Sequence, residues 1–388
     1  MSKFDDLSAL LNSFVRDGLP GCACAIAKKG EVLWEGYFGY ADLERKVPMN
    51  ESSVFRLASM TKIIICTAAL MLYERGKFLL SDPVYEYIPE YKETYVFVKD
   101  NKGNLQVEKA KNPILIKHAF TMTMGLPYPF MNSPTAIEMR KVREELTKKY
   151  GKFDIVTEAK AMAKVPLAFE PGTRWLYGYG HDIVAALIQI ISGKKVSEFL
   201  REEIFEPLDM KDTGYRYFGD IEERMVCCYK KNEDGTFEKV KGMFDEFHQP
   251  DSIYEAGGAG LFSTVRDYLK FSQMLANGGV YKGRRIIGRK TIDLMRTNQL
   301  NKRQLLDFNK NNVYLSGYGY GLGVRTLISI AEGNFNASVG EFGWTGALGT
   351  YVSIDPSEGF SVVYMHQMIP NMEQYYHLRV RSVAYGCL

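Results

Sequence analysis

Strand patterns lie near both ends of the chain, and helix patterns fill the middle. The segment GCACAIAKKGEVLWEGYFGYAD, which starts at Gly21, places small or apolar residues on either side of Lys-Lys-Gly and predicts an antiparallel hairpin. Near the other end, GWTGALGTYVSIDP and FSVVYMHQ indicate two strands joined by the turn DPSEGF. Between them, HDIVAALIQIISGKK and STVRDYLKFSQMLANGG predict apolar helices, the second with Ser263 as its N-cap. We therefore expect one sheet assembled from the two chain ends.

The order of these patterns predicts the fold class and a division into two regions. Strands at both ends with helices between them favour an α/β (α+β) fold, in which an antiparallel sheet is flanked by helices and a mostly helical region is inserted. We expect residues 1–55 and 310–388 to form a discontinuous α/β region and residues 56–309 to form the helical region. A chain of 388 residues is long enough to bury a large core.

Composition and charge exclude several classes of protein. The chain carries 49 Lys and Arg against 46 Asp and Glu and has no basic cluster interleaved with aromatic residues, so we expect no nucleic-acid partner. The longest apolar run, IIICTAALML, is about half the length of a membrane span. The N-terminal segment MSKFDDLSALLNSFVRDG lacks the apolar centre of a signal peptide. We expect a cytoplasmic protein, unless a leader has been removed; the sequence does not indicate an oligomeric state.

The cysteines do not have the spacing of a metal site or a disulfide scaffold. Six cysteines are sparse for a chain of this length, and no further cysteine or histidine stands at ligand spacing from Cys22 and Cys24 or from Cys227 and Cys228. Reduced structural thiols are expected. The sequence implies no metal and no organic cofactor.

A serine and a lysine three residues apart occur twice in the chain. Ser59 and Lys62 stand at the start of the apolar helix pattern FRLASMTKIIICTAALMLYERGK, whereas Ser192 and Lys195 flank a turn after another helix, where a structural role is favoured. On a helix, this spacing places both side chains on one face, where a buried lysine with a lowered pKa can activate a serine hydroxyl. The pattern alone leaves open whether Ser59 is a nucleophile or an N-capping serine followed by a solvated lysine.

Seven phrases in one order resemble a known family and cover nearly the whole chain. They are LPGCACAIAKKGEVLWEGYFGYADLERKVPM, FRLASMTK, HAFTMTMGLPY, EPGTRWLYGYGHDIVAALIQIISG, IFEPLDMKDTGY, GGAGLFSTVRDYLKFSQMLANGG and GWTGALGTYVSIDP. Together they resemble the serine β-lactamase and penicillin-binding-protein superfamily, most closely its class C-like branch, which includes family VIII carboxylesterases and related transesterases. The resemblance implies a β-lactamase/transpeptidase-like fold.

The resemblance also implies roles for individual residues. Ser59 matches the acylated serine and Lys62 its lysine partner, and Tyr177 matches the tyrosine of a Tyr-x-Asn motif that takes part in proton transfer to and from the serine. The backbone amides of Ser59 and Ala347 are expected to form the oxyanion hole. A phenol titrates near ~10, so Tyr177 needs a nearby cation to act as a base, and Lys62 can provide one. Whether Lys62 is the acylation base or supports Tyr177 stays open.

Two positions depart from the family pattern and concern the substrate. Tyr179 occupies the third position of Tyr-x-Asn, so the amide that often contacts the acyl side chain is missing. Trp344-Thr345-Gly346 stands where many members have Lys-Thr-Gly, and an indole cannot bind a substrate carboxylate as that lysine does. These four residues are expected to bind substrate, and the aromatic residue at 344 suits neutral, apolar acyl groups or alcohols.

Several other side chains have functional and structural alternatives. Tyr128, in the phrase GLPY, either shapes the entrance to the cleft or packs in the core. His181 and His366 could reach the site, but packed structural histidines are favoured at both positions. The chain has no Gly-x-Ser-x-Gly elbow, so a Ser-His-Asp triad has no support. A cation such as Arg325 or Lys302 at the vacated lysine position would favour a β-lactamase.

Taken together, these residues predict a serine hydrolase that forms an acyl-enzyme on Ser59, with a small-molecule ester, amide or β-lactam as substrate. Carboxylesterase or acyltransferase activity on small to medium esters is the favoured interpretation. One alternative is a class C-like β-lactamase or D-alanyl-D-alanine carboxypeptidase, and another is a non-catalytic penicillin-binding or muropeptide-sensing protein. The site is expected in the groove between the two regions, and the natural substrate depends on loops that the sequence does not place.

Overall fold

The computed structural model describes residues 3–388, and its main feature is an eight-stranded antiparallel sheet. The α-helices are α1 (Asp5–Arg16), α2 (Thr61–Glu74), α3 (Ile116–Phe120), α4 (Pro134–Tyr150), α5 (Ile155–Met162), α6 (Gly180–Ser192), α7 (Val196–Leu200), α8 (Asp245–His248), α9 (Val265–Ala276), α10 (Arg289–Met295), α11 (Lys302–Asn311), α12 (Ile330–Gly333) and α13 (Glu373–Gly386). The strands are β1 (Gly21–Lys28), β2 (Glu31–Asp42), β3 (Val47–Pro48), β4 (Phe55–Arg56), β5 (Tyr95–Lys99), β6 (Leu105–Lys109), β7 (Cys228–Lys231), β8 (Phe237–Val240), β9 (Phe262–Ser263), β10 (Val280–Tyr281), β11 (Arg284–Arg285), β12 (Tyr318–Tyr320), β13 (Arg325–Leu327), β14 (Phe342–Thr345), β15 (Tyr351–Asp355), β16 (Phe360–Met365) and β17 (Met368–Ile369).

The main sheet joins the two ends of the chain, as the sequence predicted. Its strand order is β12-β13-β14-β15-β16-β1-β2-β3, so β1 from the N-terminal part pairs with β16 from the C-terminal part. The hairpin between β1 and β2 turns at Lys29 and Gly30, whose φ angles of 52° and 89° are those that a tight two-residue hairpin turn needs. The predicted α/β (α+β) fold class is confirmed.

Helices cover both faces of this sheet. Ser361 and Tyr364 lie an odd number of residues apart on β16, so their side chains point to opposite faces. On one face, Ser272 of α9 meets the Ser361 hydroxyl at 3.0 Å. On the other, Phe14 of α1 packs against Tyr364, beside α13. Helix α9 lies within residues 56–309. The segment predicted to form the helical region therefore also supplies a helix that packs on one face of the sheet.

Helix α2 links the sheet to the helical part of the molecule. It packs mainly against α6 and also contacts β14. All residues of α2 from Thr61 to Leu72 are buried, which explains why its sequence is apolar on every side. Helix α6 ends at Ser192, and Gly193 directly after it adopts a left-handed conformation with φ of 71°, as is common where helices end in glycine.

Two helix starts differ from the sequence prediction. The N-cap of α9 is Thr264, whose hydroxyl accepts a hydrogen bond from the Asp267 amide at 3.1 Å, while Ser263 belongs to β9 and pairs with Phe55. The helix expected from Ser59 begins as a 3-10 turn, Ala58–Met60, and continues as α2. None of the helices found in residues 3–388 combines the length and apolar character that crossing a bilayer requires.

Candidate active site

Ser59 lies in the 3-10 turn that leads into α2. Ala58, directly before it, has a φ of 46°, in the left-handed region that residues with a Cβ rarely adopt. Neighbouring strands hold the turn, because Leu57 donates its amide to the Leu261 carbonyl at 2.9 Å. The Ser59 side chain is half-buried, whereas its neighbours Ala58 and Met60 are buried. A strained, well-anchored turn thus presents a single hydroxyl at the open end of α2.

Lys62 points its ammonium group at Ser59 from the first turn of α2. The residue is fully buried, and its Nζ donates to Ser59 Oγ at 3.1 Å and to the carbonyl of Gly258 at 2.5 Å. This contact shows that Ser59 and Lys62 share one face, as the three-residue spacing predicted. A buried amine with a fixed hydrogen-bond partner is well placed to exchange a proton with the serine.

Tyr177 also contacts Ser59. Its hydroxyl lies 2.8 Å from Ser59 Oγ, and its ring centroid is 4.8 Å from Lys62 Nζ. The indole of Trp344 stacks on the Tyr177 ring with centroids 5.8 Å apart, and its Nε1 lies 3.4 Å from the phenol oxygen. Trp344 therefore fixes the orientation of Tyr177 and offers a weak hydrogen bond to a phenolate.

The three side chains form a short proton-transfer network around Ser59 Oγ. Two potential proton acceptors, Lys62 Nζ and Tyr177 Oη, lie within hydrogen-bond distance of the hydroxyl oxygen. A neutral amine or a phenolate at either position can take the serine proton, and the other group then stabilises the charge that develops. The geometry permits both of the roles considered for Lys62.

The segment after β14 approaches the Ser59 turn closely. The Thr350 hydroxyl donates to the Leu57 carbonyl at 2.8 Å, and the Gly346 amide donates to the Thr350 carbonyl at 2.7 Å. A Cβ on Gly346 would lie 2.3 Å from the Leu57 carbonyl oxygen, so this approach requires glycine. Next in the segment, Ala347 is exposed, and its amide has no acceptor within residues 3–388. An oxyanion hole needs an amide that is free to donate, and the Ala347 amide meets that requirement.

Tyr128 lies beside the three-residue network. Its ring centroid is 5.2 Å from Lys62 Nζ and 5.7 Å from the Tyr177 ring. It also stacks on Phe130, whose side chain is 80% exposed, with centroids 5.3 Å apart. The aromatic rings thus lead from the buried lysine to the protein surface.

The position of Tyr179 contradicts the prediction that it binds substrate. The residue is only 2% exposed, and its hydroxyl donates to Glu158 of α5 at 2.8 Å. It directly precedes α6, where the chain turns into the helix, so its side chain points into the helical region rather than along the cleft with Tyr177. The tyrosine that replaces the family's asparagine is therefore a structural residue.

The remaining candidates have structural partners or lie on the surface. His181 Nε2 bonds to the Phe120 carbonyl at 3.0 Å, and His366 Nδ1 lies 3.0 Å from the Tyr364 hydroxyl. Burial lowers the pKa of both histidines to about 3, so both are neutral at physiological pH.

Neither candidate cation is seen to replace the family lysine at position 344. Arg325 is 1% exposed and forms a buried ion pair with Glu341 at 3.0 Å. Lys302 is an exposed residue at the start of α11. Within residues 3–388, no group of three or more His, Cys, Asp or Glu side chains is arranged to hold a metal ion.

Two groups at the site were missed by the sequence reasoning. One is the Gly258 carbonyl that accepts a hydrogen bond from Lys62, and the other is Asp182, which binds the Gly257 and Gly258 amides. The glycine pair in GGAGLFS was an available signal, since adjacent glycines often mark a close backbone approach. Nothing in the sequence pairs this segment with a carboxylate 75 residues earlier.

Comparisons with known proteins agree with the fold. The family model described as Beta-lactamase matches residues 4–381. Protein Rv1367c of Mycobacterium tuberculosis (strain ATCC 25618 / H37Rv) is 31% identical over 359 residues, which cover 91% of this chain and 87% of that protein. Esterase EstB of Burkholderia gladioli is 28% identical over 295 residues, 70% of each chain. Unliganded simvastatin synthase (LovD) from Aspergillus terreus, as its selenomethionyl derivative, superposes with a TM-score of 0.84 at 22% identity, covering 100% of this chain and 98% of the other.

Proposed function

The chain belongs to the β-lactamase family, as its phrases indicated, and from that premise we propose that it is a serine hydrolase that forms a covalent acyl-enzyme on Ser59. We assign it carboxylesterase or acyltransferase activity on small to medium esters. One observation carries the proposal: Ser59 Oγ lies within hydrogen-bond distance of both Lys62 Nζ and Tyr177 Oη. An N-capping serine followed by a solvated lysine would have neither contact.

The reaction follows from the positions of these groups. As Ser59 Oγ attacks the ester carbonyl, its proton passes to Tyr177 or Lys62, and the carbonyl oxygen takes up negative charge opposite the amides of Ser59 and Ala347. The C–O bond to the alcohol then breaks, and the stored proton goes to the leaving alkoxide. Water, or a second alcohol, attacks the acyl-enzyme by the same route, which gives the acid or a new ester and restores Ser59.

The choice of esters rests on the surroundings of the network. Trp344 presents an uncharged indole where a lysine would bind a substrate carboxylate, and Arg325 is occupied by Glu341. Tyr128 and Phe130 add apolar surface toward the outside. Such a cleft suits neutral acyl groups, and the name of the relative from Burkholderia gladioli, Esterase EstB, supports the same class of activity.

The proposal is tested on the purified full chain with a fluorophosphonate probe, p-nitrophenyl butyrate and a chromogenic cephalosporin. We expect a mass shift on the peptide that contains Ser59, together with ester turnover at least about tenfold faster than cephalosporin turnover. The Ser192→Ala variant is the matched control and should behave as the wild type. Rapid cephalosporin hydrolysis would replace the esterase assignment by a β-lactamase, and an unlabelled Ser59 would overturn the acyl-enzyme itself.

A further inference from the structure

Asp182 connects the helical region to Lys62 through one residue of the backbone. Its side chain is 3% exposed in the first turn of α6. Oδ1 accepts hydrogen bonds from the amides of Gly257 and Gly258 at 3.0 and 3.1 Å. The carbonyl of Gly258 in turn accepts from Lys62 Nζ at 2.5 Å. The Asp182 carboxylate thus binds the amide of Gly258, and the carbonyl of Gly258 binds Lys62.

This segment lies so close to its neighbours that only glycine fits. A Cβ on Gly257 would lie 1.9 Å from the carbonyl oxygen of His181. A Cβ on Gly258 would lie 2.1 Å from the Tyr128 hydroxyl and 2.8 Å from Asp182 Oδ2. Close approach of backbone to a functional group is a common reason for glycine. In this confined space, the two hydrogen bonds that Asp182 Oδ1 accepts from the Gly257 and Gly258 amides fix the position of the Gly258 carbonyl.

The charges around Asp182 make Lys62 its electrostatic partner. The titratable groups that influence it or are influenced by it are Lys62 of α2, Arg143 of α4, Glu158 of α5 and the phenols Tyr128, Tyr179, Tyr215 and Tyr254. Arg143 and Glu158 neutralise each other, since they form an ion pair at 2.7 Å. Burial raises the pKa of the four phenols well above the usual value of 10, so they remain neutral. The charge that remains to interact with the carboxylate is the ammonium group of Lys62.

We propose that Asp182 is a positioning residue for the reaction at Ser59, a role that rests on the proposed function. It holds the Gly258 carbonyl against Lys62 Nζ and so keeps the lysine within reach of Ser59 Oγ. The inference therefore concerns the place of the lysine relative to the serine.

Burial works against the ionised form of Asp182. Burial raises the pKa of Asp182 to about 6, with the Lys62 charge opposing the shift. A group whose pKa is raised by folding stabilises the protein when protonated, and that contribution is lost as the pH rises through the folded value. Replacing Asp182 with a neutral isostere should therefore raise the melting temperature at pH 8, and the gain should vanish near pH 4.

The test measures the second-order rate of fluorophosphonate labelling at Ser59 between pH 5.5 and 10. Asp182→Asn keeps an oxygen acceptor and removes the charge, whereas Asp182→Ala removes both. Asp267→Asn is the matched control, because Asp267 of α9 is another buried carboxylate that accepts a backbone amide, from Asp212 at 2.7 Å, and pairs with Lys270. All variants are compared by melting temperature, so that misfolding is recognised.

We expect Asp182→Asn to label roughly 10- to 100-fold more slowly at pH 7.5, with Asp182→Ala slower still. The wild-type rate should fall below the Asp182 pKa of about 6, because only the ionised carboxylate holds both amides fully, and Asp182→Asn should lose this acid limb. Asp267→Asn should keep it. Should Asp182→Asn not fold, Asp182→Glu takes its place and should keep the acid limb but label more slowly.

The two proposals fail in distinguishable ways. A wild-type protein that is not labelled at Ser59 overturns the proposed function, and the role of Asp182 with it. A wild-type protein that is labelled, together with a folded Asp182→Asn variant of unchanged rate and pH profile, overturns the role of Asp182 alone. Where Asp182→Glu is used instead, an unchanged rate of labelling at Ser59 in the folded variant would also overturn the role of Asp182 alone.

Discussion

The two Ser-x-x-Lys segments have the same spacing and entirely different surroundings. At Ser59 the chain continues into α2, so Lys62 lies on the same face, fully buried, with its Nζ 3.1 Å from the serine oxygen. At Ser192 the helix ends, Gly193 turns the chain, and Lys195 is exposed to solvent. Ser192 there accepts a hydrogen bond from the Lys194 amide at 3.2 Å. The spacing brings the lysine amine to the serine hydroxyl only where a helix continues through it and other elements bury the lysine.

The largest effect is expected from removing the serine of the first segment. Ser59→Ala should lower p-nitrophenyl butyrate turnover at least about 10⁴-fold, because the acyl-enzyme can no longer form. Ser192→Ala should change the rate less than about twofold, since the hydroxyl serves only a turn. Initial rates of both variants, with their circular dichroism spectra, decide the matter. Full activity in Ser59→Ala would mean that another nucleophile carries the reaction.

The lysines of the two segments should differ almost as strongly. Lys62→Met keeps much of the side-chain volume but removes the amine, and we expect turnover to fall roughly 10³-fold, within the range for loss of an acid-base group. Lys195→Met removes an exposed charge and should leave kcat and KM within about twofold. Steady-state kinetics on the same ester provide the comparison. Equal losses in the two variants would contradict the assignment of Lys62 to the site.

A second pair of residues, Tyr177 and Tyr179, extends the comparison to the other acid-base candidate. Tyr177→Phe removes the hydroxyl near Ser59 but retains the ring that stacks on Trp344, so turnover should fall roughly 10²- to 10³-fold without loss of stability. Tyr179→Phe should instead leave turnover within about threefold and lower the free energy of unfolding by about 1–2 kcal/mol, because Glu158 loses a hydrogen bond. Kinetics and urea unfolding of each variant test this. A reversed pattern would place Tyr179 in the cleft after all.

These pairs also show how far the sequence could predict the molecule. The β1–β2 turn and the shared face of Ser59 and Lys62 follow from local rules of turn and helix geometry. The sheet from both chain ends followed from the order of strand and helix patterns along the chain. The direction of the Tyr179 side chain does not follow from local rules, because it depends on where α5 places Glu158. The same holds for Asp182, whose partners lie 75 and 76 residues away. Local patterns predicted which residues meet along one element, and tertiary packing decided the rest.

Placing a lysine at position 344, where many family members have one, tests which acyl groups the site at Ser59 accepts. Trp344→Lys should increase kcat/KM for p-nitrophenyl hemisuccinate about tenfold relative to p-nitrophenyl butyrate, since a charged hydrogen bond to the substrate carboxylate gains about 1.5 kcal/mol or more. The control Trp344→Phe keeps an aromatic ring on Tyr177 and should not change this ratio. Absolute rates should fall in both variants, because the indole no longer orients the phenol. An unchanged ratio in Trp344→Lys would show that residue 344 does not face the acyl group.

The smallest effect is expected from replacing Gly193 in the Ser-x-x-Lys segment at Ser192. It tests whether this segment has a structural role only or also contributes to turnover. Gly193 has a φ of 71° and no atom within 4 Å of the place where a Cβ would stand, so Gly193→Ala meets backbone strain alone. We expect the free energy of unfolding to fall by about 1 kcal/mol, while ester turnover stays within about twofold of the wild type. Gly76→Ala is the matched control, because Gly76 follows α2 with a φ of 66° and equally free surroundings, and it should lose a similar amount. Urea unfolding with parallel ester assays measures both quantities. Loss of turnover in a folded Gly193→Ala variant would mean that the segment at Ser192 contributes to the site, and that helix geometry does not distinguish the two copies.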